Sequence, residues 1–544
     1  MYKKINMRQN ARDLMLNGIN AVADAVSATM GPNGKVAVLS TGAITKTTKD
    51  GVSVAKAINL ANKQENAGAQ IILQAANKVN DTAGDGTTTV SVLSRAIANA
   101  GNKRLLGGYK ANDLKVGIDR AKEQVLQSIK NNVKKISSKE ELAQVATISA
   151  NGDAEIGEMV AKAVHQIGFE SPITVEEGKG RDTELTIVEG MSFDRGYISP
   201  YFVTNSEKMI SELNNPYILI YDQKISAMQP ILPLLEEVVK SGRSLLIIAD
   251  DVEGEALATL SVNSLRGSIK VAAVKAPGFG DRKNAMLADI STITGGQVVS
   301  ADLGTSLDNV KIETLGSAKK VVISKDETII VDGLGSEGAV KERCAMLRQQ
   351  ISETVSDYDR EKLQERLAKL SGGVAVLSVG GASEIEMKEK KDRVQDAVYA
   401  TKAAAEEGVV AGSGITLLRS IEAARKAKFE NKDQEQGIEI VCDALKSPIM
   451  QILSNAGING EVVVAEILKS DNIRYGYDAK SMEFCDMHER GIVDPLKVVR
   501  IALQTACSVS SMFLLTDVLI TDEDSAAGSG NAGGGMGAPG LGMI

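Results

Sequence analysis

The run Asn80-Asp81-Thr82-Ala83-Gly84-Asp85-Gly86-Thr87-Thr88-Thr89 is the strongest chemical signal in this sequence. It ends one helical stretch and opens the next, so free backbone N–H groups would point out of the new helix start. Glycines there admit a close approach and threonine hydroxyls add donors, a set that suits phosphate oxygens. Asp85 would then hold the Mg2+ that accompanies them. Taken alone, a Gly-Asp-Gly of this kind reads first as a capped turn between two helices, a reading that the three consecutive threonines weaken without removing. A second turn, Thr29-Met30-Gly31-Pro32-Asn33-Gly34-Lys35, is built on the common signal Pro-Asn-Gly. A third, Thr48-Lys49-Asp50-Gly51-Val52-Ser53-Val54, places another acid in an Asp-Gly turn. Asp396 lies in a helical run, about 200° around from the apolar stripe of Val394 and Val398. A solvated carboxylate is the plain reading there.

The elements that must position these residues fall into three textures. The first 130 or so residues read as helices broken by glycine turns. Ile72, Ala75, Ala76 and Val79 form one apolar stripe, and Leu93, Ala96, Ile97 and Ala100 another. Between about 172 and 375 short β-rich runs appear: Ile218-Leu219-Ile220, Leu245 to Ile248, Val271 to Val274 and Val321 to Ile323. From Glu384 helical periodicity returns, and Ser525 to Ile544 is a glycine-rich, uncharged tail that cannot pack a core. Shifts in composition near 131, 189, 374 and 407 suggest nested domains in a multidomain α+β chain.

Composition excludes several classes. The 544 residues are 43% hydrophobic and 24% charged, an ordinary globular balance. A net charge of −8 leaves no basic field for nucleic acid, and the lack of tryptophan removes stacking platforms. His165 and His488 are the only histidines, too few for a multi-histidine zinc site. Cys344, Cys442, Cys485 and Cys507 form no CxxC pair and read as small apolar residues of a reducing compartment. No apolar run approaches the roughly 20 residues of a spanning helix, so no membrane partner is expected. The start Met1-Tyr2-Lys3-Lys4-Ile5-Asn6 has no signal or transit pattern, which predicts a cytoplasmic address.

Gly333-Leu334-Gly335-Ser336-Glu337-Gly338 matches GxGxxG between a strand-like run and a helical one, as a dinucleotide fingerprint requires. No acid follows at the end of a second strand, because Arg343 to Leu370 reads as one continuous charged helix. Gly528 to Gly533 matches only as a product of the tail's composition.

The constellation resembles the group I chaperonins of the GroEL type over essentially the whole chain. The resemblance rests on Gly84 to Thr89, Thr48 to Val54, Thr147-Ile148-Ser149-Ala150-Asn151, Phe193 to Phe202, Asp251 to Leu260, Val274 to Arg282, Asp357 to Arg366 and the glycine and methionine tail. It implies a subunit of a seven-membered ring, single or back-to-back double. A mainly α-helical equatorial ATP-binding domain would span 1–131 and 407–524. A small hinge-like intermediate domain (132–188, 375–406) would link it to an α/β apical domain (189–374) inserted in the middle of the chain, with 525–544 as the tail.

The resemblance also implies site residues. ATP, Mg2+ and K+ would be the cofactors. Thr29, Met30, Gly31, Pro32, Lys49, Asp85, Gly86, Thr87, Thr88 and Thr89 would hold phosphates and magnesium, with Asp85 as the metal ligand. Ile148, Ser149, Gly412, Ser413, Asp478, Ala479, Ile492 and Asp494 would complete the nucleotide site. Asp50 and Asp396 would orient and activate the attacking water, Asp396 arriving by hinge closure. Tyr197, Tyr201, Phe202, Leu232, Leu235, Leu257 and Val262 would form an apolar rim for non-native polypeptide clients and a co-chaperonin lid, although residues of these types are ordinarily core. Arg195 and Glu384 match an ion pair that breaks in the ATP-driven transition.

Departures from the family pattern stand at Gly412-Ser413-Gly414, where an uninterrupted glycine triad is usual, and at Asp478-Ala479-Lys480, where Asn-Ala-Ala is usual. Ser261 replaces a valine and would make the capture surface more polar. Met450, Asn459 and Lys432 replace charged residues of the family's ring-to-ring contact, which predicts a weak or ATP-labile double ring. Two rival readings make different predictions: a nicotinamide oxidoreductase built on Gly333 to Gly338, and a ring-forming scaffold with a decayed nucleotide site.

Overall fold

In the computed structural model, residues 2–522 are described apart from 42–43, 137, 151, 169–170, 179, 207, 301–303 and 355. The expected tail 525–544 and Asn151 therefore lie outside the described residues. The chain forms two units, one from residues up to Ala154 and from Tyr399 onward, the other Glu155–Val398. The expected intermediate segments divide between them.

The first unit is a helical bundle assembled from both ends of the sequence. Its N-terminal part supplies the helices Arg8–Ser27, Lys63–Ala83, Thr87–Leu106 and Ala111–Asn131. The C-terminal part adds Lys432–Ala444, Ser447–Asn455 and Leu496–Leu515. The strand Lys3–Met7 pairs antiparallel with Val518–Asp522, which joins the two ends directly. The stripes read from sequence face inward: Ile72, Ala75, Ala76 and Val79 are buried, as are Leu93 and Ile97, with Ala96 and Ala100 at the edge of the same core. The helix Leu496–Leu515 is long and apolar enough to cross a membrane, contrary to the expectation that nothing approached that length. Its most apolar window is 67% buried, and it packs on Thr87–Leu106 as a core helix.

The second unit is built on an eight-stranded mixed sheet. Val271–Lys275, Leu245–Ala249 and Tyr217–Tyr221 run parallel, and every residue of Leu245–Ala249 is buried. Such continuous apolar runs are what strands covered on both faces require. The sheet continues antiparallel through Gly316–Ile323, Thr328–Gly333 and Gly190–Phe193. Thr328–Gly333, which leads into the GxGxxG match, is thus antiparallel to both its neighbours, whereas a dinucleotide fingerprint belongs to a parallel βαβ unit. A separate three-stranded sheet joins Ile173–Glu177, Val374–Val379 and Glu184–Val188.

The continuous helix expected over Arg343 to Leu370 is two helices, Glu337–Glu353 and Asp357–Ser371. Ser356 restarts it, its hydroxyl accepting from the Asp359 N–H at 3.2 Å. Both helices are fastened to Asp281–Thr294 through buried Asp289, which accepts from Arg343 Nε at 2.7 Å and from Arg366 Nε at 2.8 Å and Nη2 at 2.9 Å.

Candidate functional site

The Lys63–Ala83 helix stops at Gly84, and Gly86 opens Thr87–Leu106; both glycines have left-handed backbones, φ 72° and 91°. No side chain caps this second helix, so its first N–H groups keep their donors free. The hydroxyls of Thr88 and Thr89 also have no protein partner among the described residues. The short helix Gly51–Ala57 starts beside it: a Cβ on Gly51 would stand 2.5 Å from Thr88 Oγ1 and 2.8 Å from Thr87 Oγ1. Asp50 caps that helix, accepting from the Val52 N–H at 3.1 Å, the Ser53 N–H at 2.9 Å and the Ser53 hydroxyl at 2.6 Å. Lys49 precedes it, half-buried.

Asp85 accepts from the Gly86 N–H at 2.6 Å and the Ser149 hydroxyl at 3.2 Å. Burial pushes its carboxyl above the usual range against these two bonds, and the charge of Asp50 adds to the rise. Asp494 is pushed up to about 7, first by burial and then by Asp85. Coupled carboxylates in a poorly solvated place favour a cation between or beside them. Among the described residues no three His, Cys, Asp or Glu side chains could hold a metal unaided. A magnesium ion at Asp85 would complete its octahedron with water and ligand oxygens, its usual habit.

Two further walls converge here. The turn after Arg8–Ser27 is closed by Gly34 N–H on the Gly31 carbonyl at 2.9 Å and Lys35 N–H on Ala28 at 2.8 Å. Asn455 Nδ2 holds the Ser27 and Met30 carbonyls, each at 2.9 Å. Thr29 is buried, Met30 and Gly31 are half-buried and Pro32 is exposed. Asn33 ties this turn to the Tyr475–Asp478 and Glu483–Asp486 hairpin by donating to the Ala479 carbonyl at 3.1 Å. The last wall is the antiparallel pair Val409–Ala411 and Val493–Pro495, which sets Val410 opposite Asp494. The Gly412 N–H donates to the Ile492 carbonyl at 3.0 Å, and a Cβ on Gly412 would lie 3.1 Å from Asp494 Oδ1. Ser413 follows with φ 55°, the left-handed geometry that a glycine would take without strain. Ile148, partly exposed, and Ser149 end the helix Lys139–Ser149.

The first unit therefore contains every nucleotide residue expected from sequence, together with Asp50. Asp396 belongs to the second unit, half-buried on the helix Glu384–Glu407. Asn33 and Asn455 were not foreseen as wall-joining residues. Their only sequence signal is an asparagine in or beside a turn.

In the second unit the expected rim divides. Tyr201, Leu232 and Val262 are 58%, 49% and 45% exposed, and Tyr197 and Leu257 are half-buried. Phe202 and Leu235 are core residues, which corrects their placement on the rim. The short 3-10 turn Pro200–Phe202 sends adjacent side chains to opposite sides, and Leu235 shares the inner face of Leu232–Ser241 with Leu234 and Val238. Ser261 is buried too, within 3.4 Å of the Ser199 hydroxyl, so it does not alter the surface polarity as expected. No ion pair joins Arg195 to Glu384 among the described residues. Arg195 lies 5.4 Å from the centroid of the exposed Phe279 ring, and Glu384 is exposed.

Residues 22–524 match the model of the TCP-1/cpn60 chaperonin family. That span includes the whole second unit, most of the first and all four walls of the site. The chain belongs to the TCP-1/cpn60 chaperonin family, whose role is in protein folding.

Proposed function

We propose that this chain is a group I, GroEL-type subunit of a seven-membered ring that uses Mg2+ and ATP, with K+, to capture, enclose and release non-native polypeptides. The observation that carries the reading is the uncapped start of Thr87–Leu106 set against Asp85 and Asp50. Free N–H groups and hydroxyls receive phosphate oxygens, and Asp85 holds the magnesium that neutralises them. Asp50 is fixed by three hydrogen bonds, so it would orient a water without reorganising. Asp396 would join it on closure of the intermediate segments and take the proton from that water. Tyr201, Leu232 and Val262 form the exposed apolar surface for clients and a lid, flanked by Tyr197 and Leu257.

Assembly follows the same reading. Met450 is packed against the bundle core and Asn459 caps Gly460–Lys469 by accepting from the Glu461 N–H at 3.2 Å. Both are neutral and committed within the subunit, which favours a single ring or a double ring that parts with ATP. Native mass with and without Mg-ATP tests this: seven subunits of 57.4 kDa give about 400 kDa and fourteen about 800 kDa. A particle near 400 kDa, or one that falls to it with ATP, fits the reading; a stable one near 800 kDa removes the weak-interface part. A monomer that still hydrolyses ATP would remove the enclosing ring.

A further inference from the structure

Tyr217–Tyr221 sits at a point of reversal in the parallel part of the eight-stranded sheet. On one edge it pairs with Leu245–Ala249, which pairs in turn with Val271–Lys275. On the other edge it pairs, again in parallel, with Val298–Val299, the next parallel strand in the chain. The chain thus builds outward over three strands and then returns to the far side of the first. Such a reversal leaves a crevice outside the carboxyl ends of the two strands it separates, and ligands of open α/β sheets bind there. Here the crevice measures about 500 Å3, with walls drawn from residues 221–230 and 304–308.

The lining does not suit the phosphates that this strand order often serves. They need a tight glycine turn into the next helix, and Asp222 to Ile231, which lead into Leu232–Ser241, contain no glycine. The unbalanced charge is also negative. Asp308 is exposed and has no ion-pair partner among the described residues. Asp222, at the strand end, keeps a buried carboxylate oxygen, Oδ1, with no hydrogen-bond partner among them. The nearby cations are already engaged: Lys283 donates to Asp250 Oδ1 and to the Asp222 carbonyl, each at 2.9 Å, and Lys224 lies 3.9 Å from Glu253. Burial pushes the Tyr221 phenol above its ordinary value, and the charges of Asp222 and Asp308 add to the rise. The remaining walls are apolar, with Ile225 and Leu307 buried and Tyr221 and Pro230 half-buried.

Unpaired carboxylates among apolar side chains favour a cation carried on an apolar stem, which is the form of a lysine or arginine side chain. The volume holds more than one side chain, so a short stretch of chain fits on either side of that residue. Pro230 also leads within one turn into Leu232, which is exposed on the apolar client surface. Resting on the client-capture reading above, we infer that this crevice is a second polypeptide-binding site, which seats a lysine or arginine flanked by apolar residues beside Asp222 and Asp308.

The test is fluorescence anisotropy on the assembled protein with a capped peptide of leucine and serine around one arginine, carrying an uncharged dye. A twin peptide has citrulline, the neutral isostere, in place of the arginine. The citrulline peptide should bind the wild type about tenfold more weakly, the loss expected for a hydrogen bond to a charged group. Asp308→Lys should weaken the arginine peptide by about tenfold, whereas Leu232→Ser, on the apolar surface, should change it by less than about threefold. Equal binding of the two peptides, or a loss with Leu232→Ser alone, overturns the crevice site and leaves client capture by the apolar surface standing. Displacement of the peptide by spermidine at equal concentration would make the crevice a site for small amines and overturn the polypeptide assignment. Failure to bind either peptide or a chemically unfolded protein overturns the capture reading itself. If Asp308→Lys does not assemble, the comparison of the two peptides on the wild type still decides.

Discussion

Asn33 and Ala479, 446 positions apart, are joined by one hydrogen bond of 3.1 Å from the side-chain amide to the main-chain carbonyl. That bond closes the phosphate-side turn onto the hairpin at the opposite end of the chain. It shows why the two sequence ends must fold together before a site exists.

Asp85 and Asp396 should fail in different ways. Asp85→Ala removes the carboxylate between Gly86 and Ser149 and should abolish magnesium-dependent ATP binding. Asp396→Ala should bind ATP near normally and hydrolyse it about 100-fold or more slowly. Parallel binding and single-turnover measurements separate the two; normal hydrolysis by Asp396→Ala would remove it from the mechanism.

Relief of strain at Ser413 should show in stability. A left-handed non-glycine residue costs about 1–2 kcal/mol, part of which glycine returns as extra unfolded-state entropy. Ser413→Gly should therefore raise unfolding stability by about 0.5–1 kcal/mol in denaturant titrations. A loss would mean that the hydroxyl or Cβ holds the loop.

His488 should contribute to acid sensitivity. Burial lowers its pKa below the ordinary 6.5, with Arg474 and Lys134 lowering it further, and Asp486 and Glu141 opposing. The folded protein thus binds this proton less readily than the unfolded chain, so stability is lost as pH falls through about 6.5. Melting curves at pH 5 and 7.5 should show a smaller acid loss for His488→Gln than for wild type. Equal losses would assign the effect elsewhere.

Asp289 should be the most sensitive charged residue of the second unit. It is 1% exposed and shared by two arginines, so Asp289→Ala leaves two cations without their common anion. Breaking a buried pair this way costs about 3–5 kcal/mol. Limited proteolysis should detect early loss of Glu337–Glu353 and Asp357–Ser371; an unchanged digest and melting point would contradict the assignment.

Much of this was legible in the order of residues. The apolar stripes of Lys63–Ala83 and Thr87–Leu106, the glycine break between them, and the strands at 217–221 and 245–249 follow from local periodicity, because a helix or strand repeats its inward face every few residues. Family resemblance named the site residues but not their bonds. Only the tertiary structure decided that Asp494 comes near enough to Asp85 to raise its pKa, and that Asp478 spends its carboxylate on Lys480, Ser481 and Arg490. It alone decided that Tyr201 faces outward while Phe202, the next residue, is core. Burial and pairing depend on surfaces that meet from distant parts of the chain, and no local pattern records which surface will arrive.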